Sequence, residues 1–137
     1  MKKRSIVNVL LIFIPGFWAC LIDLLLTING QPLAYWQGDL HMVREGNPLI
    51  EFLMKNSMSG IFIFVILWLP TIVIIGYYLN SKLLRVLALF VLFAHTFGAT
   101  SWLAECCGFW TVITYVVLNS VMFIAIEDIY SLKTSKE

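Results

Sequence analysis

Four long apolar runs constrain the fold of this chain more than any other feature of its sequence. They cover residues 6–27, 60–78, 86–105 and 109–126, and each reaches or approaches the roughly 20 residues that a helix needs to cross a bilayer. With 61% hydrophobic and 12% charged residues, the chain carries more apolar surface than a soluble fold of this length can bury. The sequence therefore predicts an all-α membrane protein: one domain over residues 1–137, folded as an antiparallel bundle of four transmembrane helices.

Basic residues are distributed unequally around the four runs, and this predicts the orientation. Only Arg44 and Lys55 lie in the long connection formed by residues 28–59. Lysine and arginine are enriched in cytoplasmic loops, so we expect both termini inside and residues 28–59 outside, in a multi-pass protein of a bacterial inner (plasma) membrane. The basic residues on the predicted inner side are Lys2, Lys3, Arg4, Lys82, Arg85, Lys133 and Lys136.

The first run has a second interpretation, because basic residues followed by an apolar stretch also describe a cleavable signal. The apolar stretch continues past Ala19 and Cys20 as far as Leu26. The bulky Phe17 and Trp18 are also a poor match to a lipoprotein cleavage site before Cys20. We therefore expect a retained membrane anchor.

Asp23 is the most informative polar residue, because a carboxylate inside a span is costly unless it pairs, protonates or meets water. It shares one helical face with Gly16, Cys20 and Thr27, at spacings of four, three and four residues. A stripe of small and polar residues permits close helix approach. Asp23 is therefore expected to face protein, either as a ligand, proton carrier or substrate contact, or as an internal tether for the exterior loop.

The exterior loop carries a second polar cluster around Glu45 and Asn47. Asn47 can cap a helix that has Pro48 in its first turn, which predicts a short amphipathic helix over residues 48–56 at the membrane interface. Glu45 and Asn47 could offer oxygen ligands to a hard cation or bind a polar head group. The alternative, which we favour, is that Asn47 only caps the helix and that Glu45 bonds to its N-terminus. The apolar face of this helix would be Leu49, Ile50, Leu53 and Met54.

The two clusters together resemble a family of small uncharacterised bacterial membrane proteins, marked by Asp-x-x-x-Thr late in the first span and Glu-x-Asn-Pro-Leu in the following loop. The resemblance covers residues 17–80 and implies that the two clusters belong to one structural unit. It implies no known activity. The matching residues here are Asp23, Thr27, Glu45, Asn47, Pro48 and Leu49.

His95 lies near the middle of the third span, where even a neutral imidazole needs a hydrogen-bond partner. Gly98, Trp102 and Glu105 follow on the same helical face. A bond between helices is the favoured use, and ligation of a pigment or haem is the alternative. At a rise of about 1.5 Å per residue, His95 lies about 15 Å and Asp23 about 6 Å below the predicted ends of their helices. The two are therefore not expected to share a metal.

Three hypotheses for function follow, and the first is favoured: a non-catalytic accessory or assembly subunit that packs against a membrane-protein partner or a second copy of itself. The second is an intramembrane enzyme or transporter, whose outer polar site of Asp23, Glu45, Asn47 and Glu105 binds a cation or lipid head group. His95 would be a deeper proton partner, and Thr27 completes the candidate polar site. The third is a cofactor-binding subunit that uses His95. A metal, if one binds, would be held by Asp23, Glu45 and Glu105. The sequence requires no cofactor, its partner is the lipid bilayer, and no basic patch indicates nucleic acid.

Overall fold

The computed structural model describes residues 5–135, so Lys2, Lys3, Arg4 and Lys136 lie outside the described residues. The regular structure of the described part is helical, as predicted. Four of its helices are long and apolar enough to cross a membrane, and each contains one of the predicted runs. The elements are α1 (Ile6–Gly30), α2 (Leu33–Trp36), a short 3-10 helix (Leu40–Met42), α3 (Pro48–Asn56), α4 (Gly60–Tyr78), α5 (Ser81–Cys107) and α6 (Phe109–Thr134).

The long helices extend beyond the predicted runs because polar residues next to the runs join or cap them. Asn80 accepts a hydrogen bond from the Leu83 backbone N–H at 3.0 Å, so α5 begins at Ser81 and includes Lys82 and Arg85. The Arg85 guanidinium bonds Glu127 of α6 at 3.0 Å. Residues 81–85, which lie between two predicted runs, therefore belong to the start of a helix that is tied to α6.

Helices α1 and α5 pack against each other more extensively than any other pair of helices. Residue numbers increase in the same direction along the two helices at their points of contact. Gly16 packs against Val91, and Thr27 accepts a hydrogen bond from the Trp102 indole at 3.1 Å. The two helices therefore run in the same direction, side by side. The predicted stripe of small and polar residues on α1 faces α5, which confirms that it permits close helix approach.

An apolar core fills the half of the bundle that contains the 79–80 connection. It joins α1, α4, α5 and α6 through eight buried residues. Gly76 of α4 has no side chain where Phe13 and Leu84 approach, so the helices pack closely there. The buried residues of this core are Val9, Ile12, Phe13, Ile72, Leu84, Ala88, Val91 and Tyr130.

Helix α4 packs against α1 and α3 more than against α5, and a space remains between α4 and α5 in the other half of the bundle. Residues 31–59 lie at this end, which we call the loop end. The predicted helix over residues 48–56 is confirmed as α3. Its Met54 is buried with Tyr35 and Ile61 in a small second core, and the Tyr35 hydroxyl donates to the Met54 carbonyl at 3.3 Å. These contacts fix α3 against the start of α4.

Candidate functional site

A cleft of about 850 Å³ opens at the loop end between α1, α4, α5 and the start of α3. One face of α4 and one face of α5 form its apolar walls, and Phe90 and Phe97 remain exposed along them. Polar side chains lie at its floor and at its mouth. The apolar lining includes Leu24, Ile61, Phe64, Val65, Trp68, Phe90, Ala94 and Phe97, and the polar lining includes Cys20, Asp23, Thr27, Arg44, Glu45, Asn47, His95, Ser101 and Glu105.

Three side chains from three helices meet at the floor of the cleft. The Nδ1 atom of His95 lies 3.0 Å from Oδ2 of Asp23, and the Trp68 indole N–H donates to Nε2 of His95 at 3.2 Å. Since an indole N–H can only donate, Nε2 must be unprotonated and the imidazole proton lies on Nδ1, where it is donated to Asp23. In this geometry the imidazole accepts from Trp68 through Nε2 and donates its Nδ1 proton to the Asp23 carboxylate.

The contact between Asp23 and His95 shows that the predicted separation in depth was wrong. The prediction assumed that the two helices end at one level, but Trp102 packs against Gly30, the last residue of α1. The end of α5 therefore projects beyond α1. Asp23 precedes Gly30 by seven residues and His95 precedes Trp102 by seven, so in parallel helices the two polar residues lie at the same level. The favoured use of His95, a hydrogen bond between helices, is confirmed.

Gly98 provides the space in which the Asp23 carboxylate sits. A Cβ atom on residue 98 would overlap the carboxylate. The sequence placed Gly98, Trp102 and Glu105 on the face of α5 that carries His95. Each of them contacts α1 or the loop, which confirms that this face of α5 is turned toward them.

Arg44 ties the loop to α5 at the mouth of the cleft. Its guanidinium binds both oxygens of Glu105, at 2.7 and 2.9 Å, and lies 5.5 Å from the centre of the Trp102 ring. The Gln31 amide accepts from the Arg44 backbone N–H at 2.8 Å and donates to the Arg44 carbonyl at 2.6 Å. Residue 44 is thus held through both its side chain and its backbone.

Asn47 caps α3, as the sequence favoured, and Glu45 bonds to the N–H of this capping residue. Asn47 accepts a hydrogen bond from the Leu49 backbone N–H at 3.0 Å, and Glu45 accepts from the Asn47 N–H at 2.7 Å. Partial burial raises the pKa of Glu45, the charge of Asp23 raises it further, and the Asn47 hydrogen bond opposes both effects. Both residues also line the cleft, so capping does not remove them from the site.

The cleft brings together all six residues that the sequence proposed as a polar site: Asp23, Thr27, Glu45, Asn47, His95 and Glu105. They do not form one cluster, because Asp23 is bound to His95 at the floor while Glu105 is bound to Arg44 at the mouth. Within residues 5–135, no group of three or more His, Cys, Asp or Glu side chains has the geometry to hold a metal ion. The metal ligands suggested from sequence, Asp23, Glu45 and Glu105, are therefore not assembled in this structure.

Sequence reasoning missed the roles of Trp68, Arg44 and Gln31. Trp68 carried one available signal, because tryptophan in membrane helices is enriched at the interfaces and this residue lies mid-span. The charge of Arg44 contributed only to the prediction of membrane orientation. Gln31 follows the first span directly and gave no signal, because its partner lies 13 residues away in an irregular segment.

Replacing Gln31 by leucine is expected to loosen the loop without unfolding the bundle. The variant leaves the Arg44 backbone N–H and carbonyl without their partners, at a cost of about 1–3 kcal/mol. Hydrogen exchange should show faster exchange in residues 39–47 and unchanged exchange in α1 and α5. Gln37→Leu is the matched control, because Gln37 is exposed, and equal exchange in the two variants would contradict the proposed role of Gln31.

Comparison of the chain with family models, with curated proteins and with solved structures found no match. The resemblance based on Asp23 with Thr27 and on Glu45 with Asn47, Pro48 and Leu49 stays a prediction.

Proposed function

We propose that this chain is a multi-pass membrane protein whose cleft binds an amphipathic molecule, with the polar end at Asp23 and His95 and the apolar part between α4 and α5. The observation that carries this proposal is the position of the bonded Asp23 and His95 side chains at the floor of a cleft whose walls are apolar. Ligand sites are commonly apolar clefts of about 300–1,000 Å³ with a few convergent polar groups. This cleft has that size and composition.

The proposed arrangement in the membrane is up-and-down, with antiparallel sequential spans and residues 28–59 outside. Contacts between α5 and α6 support it: Arg85 meets Glu127 and Thr96 meets Asn119, so residue numbers fall on one helix as they rise on the other. Parallel packing of α1 with α5 fits the same topology, because first and third spans cross in the same direction. The positive-inside rule supplies the orientation.

Two features of the fold favour binding in the cleft over passage across the bilayer. The cleft reaches the level of Asp23 and His95, and the half of the bundle beyond it is occupied by the apolar core that surrounds Phe13 and Val91. The walls are open between α4 and α5, where the exposed Phe90 and Phe97 would meet acyl chains. We therefore propose that the ligand enters from the outer leaflet or from the exterior.

The proposal is tested by filling the cleft. Ala94 is exposed in the wall and points into the cleft, so Ala94→Phe should take up the space of the apolar part of a ligand. Dodecyl amphiphiles with brominated tails, titrated into the protein in maltoside micelles, are expected to quench Trp68 and Trp102 saturably. Ala94→Phe is expected to weaken this saturable binding about tenfold.

Ala104→Phe is the matched control, because Ala104 lies on the same helix, is exposed and does not line the cleft. It should bind like the parent protein. The dodecyl amphiphiles are tested with trimethylammonium, maltoside and carboxylate head groups. The proposal fails if, for all three, quenching increases only as the amphiphile partitions into the micelle. It also fails if both variants bind like the parent.

The accessory-subunit hypothesis has its own supporting observation, which concerns α6. This helix has the least buried surface of the four long helices, and Trp110, Leu118 and Ile124 are exposed along it. A partner subunit would pack there and leave the cleft free. Polar substitution of Leu118 should release such a partner without changing amphiphile binding. Ala94→Phe should weaken amphiphile binding and leave the partner bound.

A further inference from the structure

We infer that the polar end of the ligand is an organic cation, an alkylammonium group held between the carboxylates of the cleft and its aromatic walls. This inference rests on the proposed function and names the chemical class of the ligand. It follows from the charges in the cleft, from the unused hydrogen-bonding capacity of Asp23 and Glu45, and from the side chains that surround the floor.

The charges that line the cleft do not balance. Three carboxylates line it, those of Asp23, Glu45 and Glu105, and Arg44 is the one permanently charged cation among the described lining residues. Arg44 is bound to both oxygens of Glu105, so its charge is already neutralised. The Asp23 and Glu45 charges remain.

His95 does not supply the missing positive charge. Its Nε2 accepts the Trp68 N–H and its single proton lies on Nδ1, so the imidazole bound to Asp23 is neutral. A charge in a low-dielectric cleft is costly unless it is paired. An ammonium group entering the cleft would provide that pairing.

Each of the two carboxylates has capacity for a further contact. Among residues 5–135, one oxygen of Asp23 receives the His95 N–H, and Glu45 receives the Asn47 N–H and interacts with the Gly46 backbone N–H, while a carboxylate can accept about four hydrogen bonds. The raised pKa of Glu45 has the Asp23 charge among its causes, so the two carboxylates repel each other across the site. A cation between them would relieve this repulsion.

Aromatic side chains line the same space. Phe64 and Trp68 stack with ring centres 5.7 Å apart on α4, and Phe90 and Phe97 lie on the α5 wall. The faces of aromatic rings attract alkylammonium groups and are used to recognise quaternary ammonium ligands. An anionic head group would instead meet the carboxylates of Asp23 and Glu45, and the arginine that lines the cleft is bound to Glu105.

The experiment compares head groups on one brominated dodecyl chain: trimethylammonium, maltoside and carboxylate, with quenching of Trp68 and Trp102 as the readout. The ammonium compound is expected to bind about tenfold more tightly than either of the others. Choline, which lacks the chain, serves as a competitor. Competition by choline at the same concentration as the ammonium compound would identify the natural ligand as a soluble cation. Weak competition would identify it as a lipid-like amine. Both results support the ammonium assignment.

Variants of the acidic residues test the electrostatic part of the inference. Asp23→Asn should weaken binding of the ammonium compound by about 30-fold or more, because it removes a partly buried countercharge. Glu45→Gln keeps an oxygen for the Asn47 N–H and should weaken binding about threefold, as for a partly exposed charge. Asp39→Asn is the control, because Asp39 caps the 3-10 helix outside the cleft, and it should leave binding unchanged.

Equal or tighter binding of the carboxylate compound would overturn the inference, and so would unchanged ammonium binding in Glu45→Gln. The Glu45 variant keeps the test decisive if Asp23→Asn does not fold. If Ala94→Phe blocks all three compounds but they bind equally, the cleft is a ligand site and only the ammonium assignment fails. If Ala94→Phe blocks none, the proposed function itself fails.

Discussion

Gly98→Val is expected to abolish saturable amphiphile binding and to lower the free energy of unfolding by about 3 kcal/mol. The new side chain would occupy the space of the Asp23 carboxylate. Asp23 would have to move, its bond to His95 would break, and α1 would separate from α5 at the level of the cleft floor. Overpacking and the loss of a buried hydrogen bond both contribute to the expected cost.

The measurement is unfolding in mixed micelles with increasing denaturing detergent, followed by circular dichroism, together with the brominated-tail titration. Ala104→Val places the same side chain on an exposed part of α5. Only the small helix propensity of valine, a few tenths of a kcal/mol, should appear there. A Gly98→Val protein as stable as this control would show that the packing of Asp23 on Gly98 does not hold the helices together.

Gly60→Ala is expected to give the second large effect, a loss of about 1–3 kcal/mol in stability. A Cβ atom at residue 60 would overlap the Leu53 carbonyl, which is backbone and cannot rotate away. The connection between α3 and α4 would have to open, and this would move Met54 away from Tyr35 and Ile61. The part of the cleft wall formed by α3 and Ile61 would shift with it.

Gly46→Ala is the appropriate control, because no atom beyond the two adjacent residues lies within 4 Å of a Cβ built at Gly46. Its unfolding midpoint should match that of the parent protein. Protease sensitivity of residues 48–60 gives a second measurement, since cleavage should increase in Gly60→Ala alone. Equal midpoints for the two glycine variants would contradict the close approach of α3 to α4.

The local parts of the site could be predicted from the sequence because they depend on neighbouring residues. Asn47 caps the helix that begins at Pro48 because the bond from Leu49 spans two residues. The stripe of Gly16, Cys20, Asp23 and Thr27 shares a helical face because of helix geometry alone. The bond from the Asn47 N–H to Glu45 likewise joins residues two positions apart.

The pairing of His95 with Asp23 could not be predicted in the same way. It depends on the axial position of α5 relative to α1, which is set by the packing of Trp102 on Gly30 and of Val91 on Gly16. The depths of Asp23 and His95 predicted from the ends of their helices were wrong because the two helices do not end at the same level. The bond between Arg44 and Glu105 joins residues 61 positions apart and depends on where Gln31 holds the loop.

The amino-acid sequence by itself determined four helices long and apolar enough to cross a membrane, the short helix in the long connection, and which side chains share each helical face. Hydropathy and helical periodicity are properties of consecutive residues, so they can be read without a fold. Only the tertiary structure decided that α4 diverges from α5 to leave a cleft, and that Trp68 fixes the proton of His95. Those features arise where three helices meet, and the relative shift of packed helices depends on contacts between residues that are far apart in the chain.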